Sequence, residues 1–282
     1  MTKPRIAWIT DTTSSLGDEF IQKHNIHVVP LQVIINQQSY KETIDITDQE
    51  FYERMEKEEG TFQSSQASIG DFADLYKQLK NEYDLGIAIH ASSVLTGTFQ
   101  ASKMAAEMED FKLFAIDSQT GSYPLSFMIK KGVELAEQGM EAEGIVTVLE
   151  SYIAQTRLYL IPSNLDQLHK SGRVSGSQKL IASLFNIKPI LSIEEGAARI
   201  KEKVRSEKKA IASVISILKE DIERRKVDTV AIIHANRPDA AAKIEQHLKE
   251  IIPSIKTEII MLIPVAGVHT GAGTLGLSWV IE

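Results

Sequence analysis

The chain has 282 residues, of which 43% are hydrophobic and 24% are charged, a composition typical of globular proteins. Its net charge of -7 argues against a nucleic-acid binder and allows at most transient contact with an anionic membrane. The absence of cysteine excludes disulfides, thiolate metal sites and cysteine nucleophiles, and it fits a cytoplasmic protein.

The first part of the chain alternates short apolar runs with helical patterns. Strands are predicted over 6–10, 27–36, 85–89 and 113–116, and helices over 16–24, 47–59 and 71–80, with Ser68 as the N-cap of the last helix. Strands separated by helices of this length indicate a parallel sheet that is covered on both faces. We therefore expect an N-terminal Rossmann-like α/β domain over residues 1–160.

The pattern changes after about residue 158. Paired strands are predicted over 188–193 and 197–201, then a helix over 206–226, a strand over 230–234, a helix over 239–250 and a strand over 257–262. The uncharged run 259–281 is long enough to span a bilayer, but Pro264, His269 and several glycines interrupt it. It is predicted as a buried strand, a loop and a second strand, which completes a C-terminal α+β domain over 161–282.

Hydroxyl residues cluster after three predicted strands, at 11–15, 91–98 and 117–122, and a fourth cluster at 63–68 precedes a helix. Ligands of open parallel sheets bind outside the carboxyl ends of the strands, where helix N-termini favour anions. Any one cluster is explained by helix capping alone. Four clusters at the same expected edge indicate a site for a carboxylate or phosphate that is held by neutral donors.

The segment GAGTLG at 271–276 matches a dinucleotide-binding motif, but the six residues that follow leave no room for the required helix and strand. His269, just before it, is placed either to donate to an anion or to be satisfied in the core. Nucleophile-elbow, P-loop and zinc-protease motifs are absent from the sequence. His24 and His27 have the spacing of metal ligands, but with no third ligand they are interpreted as surface residues.

Two basic segments each allow two interpretations. Residues 168–176 could bind phosphate, although a turn between two helices is the preferred interpretation. Arg205 precedes the long predicted helix; beside an apolar pocket it would clamp a carboxylate, and otherwise it is a solvated helix start.

Several segments together resemble the DegV family of bacterial fatty-acid-binding proteins over nearly the whole chain. They occur in the same order as the family motifs: ITDTTSSL (9–16), VVPLQVIINQQSY (28–40), SSQAS (64–68), SSVLTGTFQAS (92–102), SNLDQLHKSGRVS (163–175), IKPIL (187–191) and HTGAGTLG (269–276). Seven matched segments in the same order make the resemblance specific.

The resemblance implies a non-catalytic carrier that buries one long-chain fatty acid between its two domains and needs no metal or other cofactor. It implies that the carboxylate is held by Ser64 and Thr96, with Arg205 and His269 near the head group. Supporting roles are expected for neighbouring residues of the same loops: Ser65, Ser92, Ser93, Gly97 and Thr270. Family members present the acid to the ATP-binding subunit of a fatty acid kinase, which makes an acyl phosphate for phospholipid synthesis.

The sequence departs from the family motifs at Ser64, Ala67, Thr96, Ser171 and Ala272. Ser64 and Thr96 keep a hydroxyl, so head-group binding is expected to survive. Two other function classes stay open: an acyl- or phosphoryl-transfer enzyme that uses Ser92, Ser93 or Thr96 as nucleophile, and a small-molecule sensor.

Overall fold

The computed structural model describes residues 4–164, 167–168, 172–173 and 187–282. Within these residues the strands follow in chain order: β1 (Ile6–Asp11), β2 (Ile26–Val29), β3 (Gln32–Ile35), β4 (Gln38–Lys41), β5 (Phe62–Ser65), β6 (Leu85–His90), β7 (Leu113–Asp117), β8 (Thr156–Ile161), β9 (Lys188–Glu194), β10 (Ala197–Val204), β11 (Thr229–His234), β12 (Lys256–Met261) and β13 (Leu275–Val280). The helices are α1 (Asp18–His24), α2 (Asp48–Lys57), α3 (Ile69–Leu79), α4 (Thr98–Met108), α5 (Ser122–Glu137), α6 (Ala142–Tyr152), α7 (Glu207–Arg224), α8 (Pro238–Ile251) and α9 (Pro264–Thr270).

The N-terminal domain contains the predicted parallel sheet, with the strand order β2-β1-β6-β7. Every residue of β6 is buried, as expected for a central strand that helices cover on both faces. Helices α5 and α6 cover one face through a core that includes Leu125, Met128 and Leu149. The carboxyl ends of the strands bring the hydroxyl clusters at 11–15, 91–98 and 117–122 to one edge, so the predicted fold class is confirmed.

The single strand predicted over 27–36 is wrong, because the structure divides it at Pro30 and Leu31. Strand β2 joins the parallel sheet, whereas β3 pairs with β4 and β5 in a separate antiparallel sheet. Proline has no backbone N–H for a ladder hydrogen bond, which explains the break at this position. Strand β5 was not predicted, and its pairing with β3 places Ser64 opposite Val33.

The second domain is a six-stranded sheet with the order β10-β9-β8-β13-β11-β12. Helices α7 and α8 pack on one face of it, around a core that includes Leu218, Leu248 and Trp279. Leu160 and Leu191 belong instead to a core cluster that they share with Leu31 of the N-terminal domain. Strand β8 already belongs to this sheet, so the change between the two sheets lies before Thr156. The domain boundary between 160 and 161 stays a prediction.

The loop predicted between the last two strands is wrong in one respect, because residues 264–270 form the short helix α9. Pro264 occupies its first turn, where a missing N–H costs nothing. Gly267 lets the helix approach α2 closely, since a Cβ there would lie 2.4 Å from the Tyr52 hydroxyl oxygen. Tyr52 Oη donates a 2.8 Å hydrogen bond to the carbonyl of Leu262, just before this helix. Among the described residues, no helix has the length and apolar character of a membrane span.

Candidate functional site: an aliphatic cavity with a polar wall

A cavity of about 200 Å³ lies between the carboxyl edge of the parallel sheet and the shared face of the second sheet. A single buried water needs only about 10–15 Å³, so this space is large enough for a ligand. Its described lining contains no Asp, Glu or Lys side chain, and ten of its side chains are Leu, Ile or Val: Leu31, Leu95, Leu158, Leu160, Leu168, Leu191, Ile193, Leu262, Ile263 and Val265.

One group of polar residues in the wall comes from three elements of both domains. Strand β5 supplies Ser64 and Ser65, the loop that leads into α4 supplies Thr96 and Gly97, and α9 supplies His269 and Thr270. All six were expected at the site. The structure therefore brings together, in one cavity wall, residues that lie up to 206 positions apart in sequence, Ser64 and Thr270 being the outermost pair.

Within this group, Ser64 Oγ lies 2.9 Å from Nε2 of His269. Thr96 Oγ1 lies 2.9 Å from the hydroxyl of Thr98, which accepts a hydrogen bond from the backbone N–H of Ala67. Thr270 Oγ1 donates to the carbonyl of Ala266, within its own helix. The hydroxyls of Ser64 and Thr96 are thus held by neutral partners that can be exchanged for a carboxylate oxygen.

His269 is held in its neutral form. Burial, assisted by the positive charge of Arg173, lowers the pKa of His269 from 6.5 to about 4. Its Nδ1 is buried and has no hydrogen-bond partner among the described residues. A Ser–His pair needs a base with a pKa near the working pH and a third group that orients the imidazole. Among the described residues, this pair has neither of these features.

Ser92 and Ser93 do not line the cavity. The Ser92 hydroxyl is buried and donates a 2.7 Å hydrogen bond to the carbonyl of Gly196, in the β9–β10 turn. The Ser93 hydroxyl donates to Asp117, at the end of β7. Both residues support the loop between β6 and α4, and Ser92 also joins the two domains.

The structure does not bring Arg205 to the cavity. It is exposed between β10 and α7. Of the two roles that the sequence allowed for Arg205, the structure agrees with a solvated helix start. The arginine in the described lining is Arg173, an exposed residue of the segment 168–176 for which a turn was preferred. Most of that segment, including Ser171, lies outside the described residues.

Sequence reasoning missed the residue that organises the polar loops, Asp11. Its buried carboxylate accepts hydrogen bonds from the backbone N–H groups of Thr13 and Ala91, both of which line the cavity, and lies 3.0 Å from Nδ1 of His90. The opposite nitrogen of that imidazole contacts the hydroxyl of Ser102 at 2.9 Å. An Asp directly after a buried strand and before two threonines is the signal that could have identified it.

A second missed carboxyl group, Glu42, lies behind the cavity wall. It is fully buried, contacts the Thr12 hydroxyl and accepts a 2.8 Å hydrogen bond from the backbone N–H of Val265. Burial raises its pKa to about 8, with Asp48 and Asp11 acting in the same direction. Glu42 therefore ties the start of α9 to the first loop as a neutral carboxylic acid.

Known proteins match this chain along almost its full length. DegV of Bacillus subtilis strain 168 is 35% identical over 276 residues, covering 97% of this chain and 98% of DegV. A DegV domain-containing protein of Halalkalibacterium halodurans is 33% identical over 280 residues, covering 99% of each chain.

Two solved structures have the same fold. The crystal structure of Bacillus subtilis DegV, described as a fatty acid binding protein, has a TM-score of 0.92 at 34% identity and covers 99% of this chain and 100% of its own. A Thermus thermophilus DegV family protein, described by its fatty acid binding, has a TM-score of 0.91 at 28% identity with the same coverage. The family model for uncharacterised proteins of the DegV family matches residues 5–282. The chain belongs to the DegV family.

Proposed function

We propose that this protein binds one long-chain fatty acid in the cavity between its domains and presents the carboxylate to a fatty acid kinase subunit in the cytoplasm. The observation that carries the proposal is the cavity lining, where ten aliphatic side chains meet hydroxyl and imidazole groups, with no carboxylate among the lining residues that the structure describes. A fatty acid has the matching division into an apolar chain and one anionic end. The relatives described as fatty acid binding proteins support the same ligand class.

In this proposal the carboxylate is held by Ser64, Thr96 and His269. The hydroxyls donate to it, and neutral His269 donates through Nε2 once the Ser64 hydroxyl has turned to the ligand. Arg173 lines the same cavity and balances the negative charge of the carboxylate, so neither charge is left without a partner in the apolar surroundings. Ser65, Gly97 and Thr270 complete the wall around the head group.

The acyl chain supplies most of the affinity. About fifteen methylenes at ~0.8 kcal/mol each give ~12 kcal/mol before the costs of ordering and immobilisation. The head-group hydrogen bonds contribute less and fix the orientation of the ligand. That orientation is what a kinase subunit needs, because the phosphoryl group has to reach a carboxylate oxygen, and the acyl phosphate then serves phospholipid synthesis.

The ligand is tested by extracting lipid from the purified protein and identifying it by mass spectrometry, then titrating delipidated protein with palmitic acid and with hexadecanol. We expect a stoichiometric fatty acid in the extract and much tighter binding of the acid than of the alcohol. Protein that carries no lipid and takes up neither compound would refute the proposal. Equal binding of both would refute the head-group assignment alone.

The carrier role is tested by adding ATP and a purified fatty acid kinase ATP-binding subunit to the loaded protein and trapping acyl phosphate with hydroxylamine. We expect hydroxamate only when both proteins are present. The enzyme alternative is tested by intact mass after incubation with an activated acyl ester. A covalent adduct on Ser64, Ser92, Ser93 or Thr96 would favour that alternative over a carrier.

A further inference from the structure

A second group of polar residues lines the same cavity, on loops other than those that hold the proposed head group. It consists of Thr13, in the loop after β1, and of Thr120, Gly121 and Ser122, between β7 and α5. The proposed head-group site uses none of them. We refer to these four residues as the α5 subsite.

The hydroxyls of Thr120 and Ser122 are buried without a hydrogen-bond partner among the described residues. Thr120 is 1% exposed and Ser122 is 6% exposed, and both hydroxyl oxygens are inaccessible to bulk solvent. Leaving a buried hydroxyl unpaired costs about 1–3 kcal/mol, so a partner at this position would be favourable. In a cavity wall that partner can come from a ligand.

The backbone of the α5 subsite adds further donors. Helix α5 has 16 residues, and its N-cap, Gly121, provides no side-chain cap for the first N–H groups. Ser122 adopts a left-handed conformation with φ of 55°, which is uncommon for a residue other than glycine. Uncapped N–H groups at a helix N-terminus favour an oxygen acceptor.

The hydrogen bonding of Thr13 determines which kind of ligand oxygen fits the α5 subsite. Its hydroxyl donates a 2.5 Å hydrogen bond to Asp11, so only the lone pairs of Thr13 Oγ1 are left for a ligand. The α5 subsite thus offers donors from Thr120, Ser122 and the helix terminus, and one acceptor from Thr13. A carboxylate can only accept hydrogen bonds, so it would leave the lone pairs of Thr13 without a donor. A neutral hydroxyl, which both accepts and donates, satisfies the whole set.

We propose that the cavity has a second polar subsite, formed by Thr13, Thr120 and Ser122, that recognises a hydroxyl group on the chain of the bound fatty acid. The inference rests on the proposed function and adds a ligand class to it. Hydroxylated fatty acids then bind more tightly than their plain counterparts when the hydroxyl lies at the position along the chain that reaches the α5 subsite.

The test uses delipidated full-length protein and measures competition of stearic acid with hydroxystearic acids that carry the hydroxyl at successive positions along the chain. At one position or a narrow range of positions we expect about five- to tenfold tighter binding than stearic acid. The keto acid of the same position should gain less, because it cannot donate to Thr13. No gain at any position would overturn the inference.

Variants assign the preference to the subsite. Thr120→Val and Ser122→Gly should abolish the preference for the hydroxylated acid while stearic acid still binds, and glycine keeps the left-handed backbone of residue 122. Ser126→Ala is the matched control, since its buried hydroxyl lies one turn further along α5 and donates to the carbonyl of Tyr123. A preference that survives both variants would overturn the inference. Failure of the proposed function would look different, because neither stearic nor hydroxystearic acid would then bind.

Discussion

Ser64 and His269 stand 205 positions apart in the chain, and their side chains meet at 2.9 Å in the wall of the cavity. Strand β5 carries the serine and helix α9 carries the histidine, and the two elements pack against each other. The pair joins the N-terminal domain to the last helix of the chain. Binding of a ligand by both side chains therefore requires β5 and α9 to keep this relative position.

Removing a head-group hydroxyl should weaken binding of fatty acids. Ser64→Ala and Thr96→Val are each expected to cost roughly 1–3 kcal/mol in binding free energy, because a buried carboxylate oxygen loses a donor. Calorimetric titration of palmitic acid measures the loss, and hexadecanol should bind each variant as it binds the unchanged protein. Ser93→Ala is the control, since Ser93 does not line the cavity. Unchanged affinity in either head-group variant would remove that residue from the site.

The two arginines should differ in their effects. Arg173 lines the cavity and Arg205 does not, so Arg173→Ala should weaken palmitic acid binding while Arg205→Ala leaves it unchanged. The loss in Arg173→Ala should shrink at high salt, because part of it is a charge interaction with the carboxylate. Equal losses in both variants would restore Arg205 to the head-group site.

His269 should titrate far below an ordinary histidine. Its pKa is lowered to about 4, so the free energy of unfolding is at its full value above pH 6.5 and falls as the pH drops from 6.5 towards 4, where only the unfolded chain takes up the proton. NMR titration of the ring carbon measures the pKa directly. Loading with fatty acid should raise this pKa, because the carboxylate favours the protonated ring.

The control for this titration is His269→Asn, which should flatten the dependence of unfolding on pH between 6.5 and 4. His27 and His234, whose pKa values burial also lowers, contribute equally to both proteins. A ring that titrates near 6.5 in the ligand-free protein would contradict the buried, neutral state of His269.

Replacing Glu42 by glutamine should stabilise the protein at alkaline pH. The pKa of Glu42 is raised to about 8, so its contribution to stability is greatest below pH 4.5 and declines as the pH rises from 4.5 to 8, where the unfolded chain is ionised and the folded one is not. Glutamine keeps the shape and the hydrogen bonds to Thr12 and Val265 without that cost. Thermal unfolding of Glu42→Gln should therefore give a Tm above that of the unchanged protein at pH 8, with a smaller gain at pH 5.

The closest comparison for this result is Glu42→Ala, which removes the hydrogen bonds and should be destabilised at both pH values by a few kcal/mol. If the Tm of Glu42→Gln relative to the unchanged protein instead falls as the pH rises from 5 to 8, the buried carboxyl is not neutral in the folded protein.

A methyl group at Gly267 should disturb the packing of α9 against α2. Its Cβ would lie 2.4 Å from the Tyr52 hydroxyl oxygen, so Gly267→Ala is expected to cost roughly 1–3 kcal/mol of unfolding free energy. Because α9 carries His269, palmitic acid affinity should fall with it. Adding Tyr52→Phe removes the atom that the methyl group meets first, so the double variant should lose less than the sum of the two single variants. Strictly additive losses would show that the two residues do not meet.

Several features of this protein were determined locally and could be predicted from the sequence. The alternation of apolar strands with helices specified the parallel sheet, and Ser68 caps α3 as expected, accepting from the N–H groups of Gly70 and Asp71. The hydroxyl clusters at 11–15, 91–98 and 117–122 lie at the carboxyl edge because each directly follows its own strand. Periodicity and capping act over a few residues, so the chain itself contains this information.

Tertiary structure decided the rest. Strand β5 has one apolar residue and exists through its pairing with β3, and α9 forms in a proline- and glycine-rich stretch because it packs on α2. Whether Arg173 or Arg205 lines the cavity, and whether Ser92 or Thr96 does, depends on which side of a loop meets the other domain. Such contacts join residues a hundred or more positions apart, and no local pattern specifies them.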